Sequence, residues 1–525
     1  MATNSDDSAS ARHHMEHYNA AADLIERNLA VRPEKIAYID DNGSYTFADL
    51  AEGVNRCANA LCELGLTLES RIMMCLSDTI DFPTLFLGAI KAGLVPVAVN
   101  TLLTSSDYDF MLRDSRARAL IVSESLLKVF KPILAGQPFL KHVVVSGGST
   151  SGEPRLAELM ASATSEFTVA PTRPDDACFW LYSSGSTGTP KGTVHVQTSM
   201  AATTELYAKP ILGIEESDIV FSAAKLFFAY GLGNGLSFPL SVGATTILLA
   251  ERPTPAAVCR ILRQHRPTIF YGVPTLYGAL LASPELPKRE ELALRRCTSA
   301  GEALPPNVGR RWLEHTGVDI LDGLGSTEML HIFLSNRPGD VRYGTSGKAV
   351  PGYDVRLMGE DGKPVAKGEI GELQVNGPSS AAYYWNNREK SRNTFLGVWT
   401  RSGDKYIESE DGYFTYCGRA DDMLKVSGIW VSPFEVEAVL VSHEAVLEAA
   451  VVGHADDNGL IKPKAFVVLQ TEITQTAELT AALQQHVKTH LAPHNYPRWI
   501  EFVPELPKTA TGKIQRFKLR EPAAA

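Results

Sequence analysis

The chain has 525 residues, more than a single hydrophobic core organises, so several subdomains are expected. Hydrophobic residues at 44% and charged residues at 21% exclude a disordered or membrane-spanning chain, and a net charge of −10 excludes a general basic field for nucleic acid or anionic lipid. Seven scattered cysteines without a C-x-x-C pair exclude a zinc cluster and read as reduced thiols, so the expected location is the cytoplasm.

Residues 1–17 are polar, carry the His13-His14 pair, lack the apolar run of a secretory signal, and read as a disordered lead-in. Phe47, Leu50, Ala51, Val54, Cys57, Ala58, Leu61 and Leu64 recur at helical spacing, with Gly65 as the stop. The apolar stretch Phe82–Leu103 is interrupted by Lys91, Gly93 and Pro96, which predicts a buried helix and then a buried strand rather than a membrane span. Strands are predicted at Arg71–Leu76, Val95–Val99, Ala119–Val122, His142–Val145, Asp218–Ser222, Thr245–Leu249 and Thr268–Tyr271. Their alternation with helical segments predicts an α/β fold with mostly parallel sheets covered on both faces.

From about Tyr353 the pattern changes: Val355–Met358, Glu372–Asn376 and Tyr413–Cys417 come with the turn pairs Asp361-Gly362 and Asp411-Gly412 and few helices. An antiparallel, barrel-like subdomain is expected at about 340–420, inside a large N-terminal domain 18–420. A small mobile α+β domain is expected at 421–525, with helices at Pro433–Val441 and Glu478–His490.

The densest chemical signal is Tyr182-Ser183-Ser184-Gly185-Ser186-Thr187-Gly188-Thr189-Pro190-Lys191-Gly192, following an apolar strand. Small residues let backbone N–H groups approach phosphate oxygens, the hydroxyls add donors, and Lys191 adds a positive charge. The spacing is not that of a Walker A loop, because Pro190 precedes Lys191 and Gly192 follows it. Further along stand Thr298-Ser299-Ala300-Gly301-Glu302-Ala303-Leu304-Pro305, Asp322-Gly323-Leu324-Gly325-Ser326-Thr327-Glu328, Trp399-Thr400-Arg401-Ser402-Gly403-Asp404, Gly418-Arg419-Ala420-Asp421-Asp422 and Pro507-Lys508-Thr509-Ala510-Thr511-Gly512-Lys513. Singly, Asp404 reads as a turn residue, Glu328 as a first-turn helix acid and Lys513 as a solvated charge. In this order, over nearly the whole chain, they resemble the adenylate-forming superfamily of acyl- and aryl-CoA ligases, luciferases and peptide-synthetase adenylation domains.

The resemblance implies ATP, Mg2+ and coenzyme A as the small-molecule partners, with no nucleic acid or membrane, in a monomer or homodimer. It implies nucleotide contacts from Ser183, Ser184, Gly185, Ser186, Thr187, Gly188 and Lys191 on the phosphates. Gly301, Glu302, Ala303, Asp322 and Gly323 fall on the adenine side, and Asp404 with Arg419 at the ribose. Thr327 would donate to the α-phosphate, Glu328 would hold magnesium, Lys513 would be the catalytic lysine and Asp421 the hinge. Ser427 and Gly428, just past the hinge, would face the thiol in the second step. Leu324 departs from the tyrosine common near adenine, and Ser402 replaces a common threonine while keeping its hydroxyl.

Leu226–Asn234 and Met329–Phe333 fall where the resemblance puts the acyl pocket, with Ala229, Tyr230, Gly325, His331 and Ile332 as wall residues. Bulky side chains there imply a short, flat cavity, and both segments resemble those of benzoate–CoA ligases. Buried polar groups built for a hydroxylated ring would be left unpaired by benzoate itself. Only His331 and Tyr230 are candidates, so unsubstituted benzoate is expected. The alternatives are a ligase for 4-hydroxy- or halo-benzoate or a medium-chain acid, and a nucleotide-binding regulator without catalysis.

Overall fold

A computed structural model of the chain describes residues 16–148, 152–183, 190–420, 422–426, 429–456, 460–471, 473–492, 494–508 and 514–520, the side chains of Lys425, Ile429, Trp430 and Phe517 excepted. The chain divides into two compact units, Met1–Asp354 with Val375–Arg401, and Val355–Gln374 with Ser402–Ala525.

The first unit is built on two large sheets. One runs, edge to edge, Tyr383–Tyr384, Lys191–Val196, Ala177–Ser183, Val95–Ala98, Arg71–Cys75, Ala119–Ser123 and His142–Ser146. The pairings from Ala177–Ser183 to His142–Ser146 are parallel, and those of Lys191–Val196 with both its neighbours are antiparallel. Val95–Ala98 and Ala119–Ser123 are buried at every residue, as strands covered on both faces must be. The helix Phe47–Glu63 starts from a Thr46–Asp49 capping box and turns Phe47, Leu50, Ala51, Val54, Cys57, Ala58 and Leu61 inward, the face its spacing predicts.

The other sheet runs Lys348–Ala349, Ile332–Ser335, Ile320–Gly325, Arg296–Ser299, Ile269–Gly272, Ile219–Ser222, Thr245–Ile247, Ile36–Asp40 and Gly43–Thr46. Its centre is parallel, and Ile320–Gly325 pairs antiparallel with Ile332–Ser335. In both sheets the chemistry-bearing segments follow the carboxyl ends of parallel strands. Ser183, Gly301–Ala303, Asp322–Gly325 and the run after Ser222 all lie there, the side of an α/β sheet on which ligands bind.

In the second unit Asp404–Glu408, of the strand Trp399–Glu408, pairs antiparallel with Phe414–Arg419, as the turn-rich sequence predicts. A three-stranded sheet of Val446–Ala455, Ile461–Leu469 and Trp499–Phe502 packs with the helices Pro433–Val441 and Ala477–His490 around Val436, Leu440, Val451, Val467, Leu483 and Val487.

Candidate active site

Ser183 and Lys191 face one another across the antiparallel pair that the phosphate-loop motif joins. Ser184, Gly185, Ser186, Thr187 and Gly188 lie outside the described residues, as do Asp421, Ser427, Gly428 and Lys513. Lys191 Nζ is 3.8 Å from Glu328 Oε1 and sits over the Tyr384 ring, 4.6 Å from its centroid. The Tyr384 hydroxyl donates to the same Glu328 oxygen at 2.6 Å. Tyr384 is held there because Tyr383–Tyr384 pairs with Thr193 and Val194, next to Lys191, and the Ala381 N–H donates to the Glu328 carbonyl.

Thr327 is fixed from below by His195, whose Nε2–H donates to the Thr327 carbonyl oxygen at 2.8 Å. His195 is fully buried, its ring stacks on Phe179, and burial lowers its pKa to about 4, so it is a neutral positioning group. Tyr384 and His195 did not stand out in the sequence, since neither belongs to a motif. Each is found only by following pairing from the strand after the phosphate loop. Leu330, three residues past Thr327, adopts φ +64°, a left-handed conformation that costs a leucine roughly 1–2 kcal/mol and that the surrounding buried segment enforces.

The residues expected on the adenine side lie at the ends of neighbouring strands. Gly301, Glu302 and Ala303 follow Arg296–Ser299, and Gly301 has φ +95° with open space around the position of a Cβ. Asp322 and Gly323 lie in the adjacent strand Ile320–Gly325, and burial pushes the Asp322 carboxyl up to about 8. In the second unit Asp404 is paired opposite Arg419, whose guanidinium donates to Asp404 Oδ1 at 3.0 Å. Arg419 is 44% exposed, so this ion pair orients Asp404 more than it stabilises the unit.

Of the five residues assigned to the acid, Tyr230 meets His331 and Gly325 pairs with Ile332, while Ala229 precedes Tyr230. Ala229 and Tyr230 open the short helix Ala229–Leu232, and Gly325 pairs with Ile332 at the end of the second sheet. The Tyr230 and His331 rings lie 5.4 Å apart. The Tyr230 hydroxyl is 2.6 Å from Thr298 Oγ1. His331 is 3% exposed, and its Nε2–H donates to Asn234 Oδ1 at 3.1 Å, with the Tyr230 carbonyl at 3.3 Å. Phe238 and Tyr207 cover the ring, and burial lowers the His331 pKa to about 3. A neutral His331 therefore presents Nδ1 as an acceptor with no partner among the described residues. A Cβ on Gly233 would fall 2.4 Å from His331 Cδ2, so glycine is required for the ring to fit.

The donor set suits a nucleotide and a hard cation. Ser183 Oγ is buried with no partner among the described residues, and Lys191 supplies charge. Among the described residues no group of three or more His, Cys, Asp or Glu side chains gathers to cage a metal. A single carboxylate, Glu328, is what magnesium uses when nucleotide phosphates supply the remaining ligands.

A family model described as AMP-binding enzyme matches residues 25–385, and one described as AMP-binding enzyme C-terminal domain matches residues 435–513. The chain is 65% identical over 508 residues to a benzoate–CoA ligase of Thauera aromatica, covering 96% of each chain. It is 50% identical to a 4-hydroxybenzoate–CoA/benzoate–CoA ligase of Rhodopseudomonas palustris, covering 96% of this chain and 94% of that one. A crystal structure of a benzoate CoA ligase from Burkholderia xenovorans LB400 superimposes with a TM-score of 0.90 at 56% identity, covering 96% of this chain and 100% of that one.

Proposed function

The chain belongs to the AMP-binding enzymes, and on that premise we propose that it is an ATP-dependent benzoate–CoA ligase. It joins benzoate to AMP with release of pyrophosphate, then transfers the benzoyl group to the thiol of coenzyme A with release of AMP. Its small-molecule partners are the aromatic acid, ATP and coenzyme A, and Mg2+ is its cofactor. No helix among the described residues is long and apolar enough to cross a membrane, and the cytoplasm is the compartment we assign.

The observation that carries the reading is the segment Gly325–Ile332. At one end it holds Glu328, the residue after Thr327, beside Lys191, and at the other His331 beside Tyr230. A flat ring against Tyr230 and His331 points its carboxylate back along this segment toward the phosphate groups. In the first step a carboxylate oxygen attacks the α-phosphorus while the bond to the β-phosphate breaks, and negative charge accumulates on the phosphoryl oxygens. Thr327 donates to the α-phosphate, and Lys191 with the Ser183–Gly188 run takes the departing pyrophosphate. Magnesium, held by Glu328 and the phosphates, supplies charge stabilisation when bound. Gly301–Ala303, Asp322 and Gly323 seat adenine, and Asp404, steadied by Arg419, takes the ribose hydroxyls. Lys513, in the domain 421–525, bridges carboxylate and α-phosphate, and Asp421 is the pivot that brings Ser427 and Gly428 to the thiol step.

The test is acid-dependent pyrophosphate release across benzoate, 4-hydroxybenzoate, 2-aminobenzoate and hexanoate, with and without coenzyme A. Benzoate should give the highest kcat/KM, and thioester should form only with coenzyme A. Release with none of the acids would leave a nucleotide-binding protein without this chemistry. The bare His331 Nδ1 supports one secondary substrate class, rings carrying an amino or hydroxyl hydrogen for that acceptor.

A further inference from the structure

The run Ala223–Phe228, which delivers Ala229 and Tyr230, carries a buried ion pair that the chemistry above leaves unused. Asp78 lies between the strand Arg71–Cys75 and the helix Asp81–Lys91, only 4% exposed. Both its carboxylate oxygens lie 3.3 Å from the backbone nitrogen of Leu226, which donates to them. Lys225 Nζ is 3.9 Å from Asp78 Oδ2 and donates to three successive carbonyls, those of Leu249, Ala250 at 3.4 Å and Glu251 at 2.7 Å. One acid and one lysine thereby tie the run to the loop after Cys75 in the first sheet and to the end of the strand Thr245–Ile247 in the second.

The tie passes directly to the acid wall. The Lys225 carbonyl accepts from the Phe228 N–H at 3.0 Å, and the Phe228 carbonyl accepts from the Leu232 N–H at 2.8 Å, closing the turn that starts the helix bearing Tyr230. The fit is tight, since a Cβ on Gly231 would stand 2.0 Å from the Lys225 carbonyl oxygen. Moving Lys225 or Leu226 therefore moves Tyr230, whose hydroxyl bonds Thr298 and whose ring faces His331. A buried ion pair stabilises a fold little more than well-packed apolar residues would, so stability alone does not account for one here. Burial raises Asp78 to about 6 and lowers Lys225, both against the charged forms.

We propose that Asp78 and Lys225 are positioning residues for the acid: they clamp the Ala223–Phe228 run so that Tyr230 stands at the distance from His331 that accepts an unsubstituted aromatic ring. The proposal rests on the reading of Tyr230 and His331 as the acid wall. Its test measures KM and kcat for benzoate and for ATP in Asp78→Ala, Asp78→Asn and Lys225→Met, together with the ratio of kcat/KM for benzoate over 4-hydroxybenzoate, and Tyr230→Ala in parallel. Asp78→Ala should raise the benzoate KM at least ten-fold and lower the selectivity ratio, while the ATP KM stays within two-fold. Asp78→Asn keeps an acceptor for the Leu226 N–H and should recover part of the loss. If Asp78→Ala fails to fold, Asp78→Asn and Lys225→Met carry the same expectation in weaker form. A folded set in which Tyr230→Ala alters acid handling and none of the clamp variants does would overturn the clamp and leave the wall standing. Acid handling unchanged in Tyr230→Ala as well would remove both.

Discussion

At the scale of single residues, one group that no motif names stands out beside those that the motifs do name. Tyr384 holds Glu328 by a 2.6 Å hydrogen bond while Lys191 lies over its ring. A hydrogen bond to a charged group contributes about 1.5–3 kcal/mol, so Tyr384→Phe should raise the magnesium and ATP requirement roughly ten-fold or more. The benzoate KM should stay within about two-fold, and a change in the acid KM alone would put Tyr384 in the wrong role. His331 supplies a second prediction, with a definite sign. Its folded pKa is about 3 against an ordinary value of 6.5, so between these the unfolded chain binds the extra proton and stability falls as pH drops. Asp78 and Asp322, raised to about 6 and about 8, act with the opposite sign, so the whole-protein profile is the sum of these opposing effects. The variant isolates one of them. His331→Gln should lessen the acid loss between pH 6.5 and 4 by about 1.4 kcal/mol per pH unit at most, as read by denaturant unfolding at several pH values. A parallel profile for both proteins would show that His331 titrates normally in the fold.

At the scale of elements, much was legible because period and burial coincide. Strands such as Ala119–Ser123 are largely apolar runs bounded by helices, and the predicted helix Pro433–Val441 is present, with Ser432 as its cap. The wide turns around Tyr230 and His331 were not legible. Thr204–Leu212 and Gly233–Ser237 are π-helical, and a π turn has no periodic signature of its own. Its effect is local but decisive: the helix widens just after Leu232, and Asn234 meets His331 Nε2. Motif context singles out Tyr230 and His331 as candidates for one wall, yet their mutual packing depends on Gly233, whose need for a bare Cα appears only in three dimensions. Gly233→Ala should therefore overpack the ring. We expect a loss of about 1–3 kcal/mol in unfolding free energy and a larger proportional rise in the benzoate KM than in the ATP KM. A fully stable variant with unchanged benzoate KM would mean that His331 has room to move aside.

At the scale of the whole molecule, one carboxylate must meet two partners in turn, and the two meetings demand different surroundings. Attack on the α-phosphate needs a cation between two anions. Attack of a thiol on the acyl carbon needs that same approach cleared, with nothing to neutralise but the departing AMP. A single rigid arrangement serves one of these well and obstructs the other, whereas a chain with a pivot between a large and a small domain serves both. Lys513 and Asp421 are the residues on which this division of labour rests in our reading. Lys513→Ala should abolish benzoate-dependent pyrophosphate release yet still convert supplied benzoyl-AMP and coenzyme A into benzoyl-CoA. Asp421→Pro should do the reverse, because proline fixes φ near roughly −65° and removes the freedom that a pivot uses. Assaying each half-reaction separately, with circular dichroism to confirm folding, decides the matter. Loss of both half-reactions in folded Lys513→Ala would mean that one arrangement performs both steps, and the lysine would then belong to the thiol transfer as much as to adenylation.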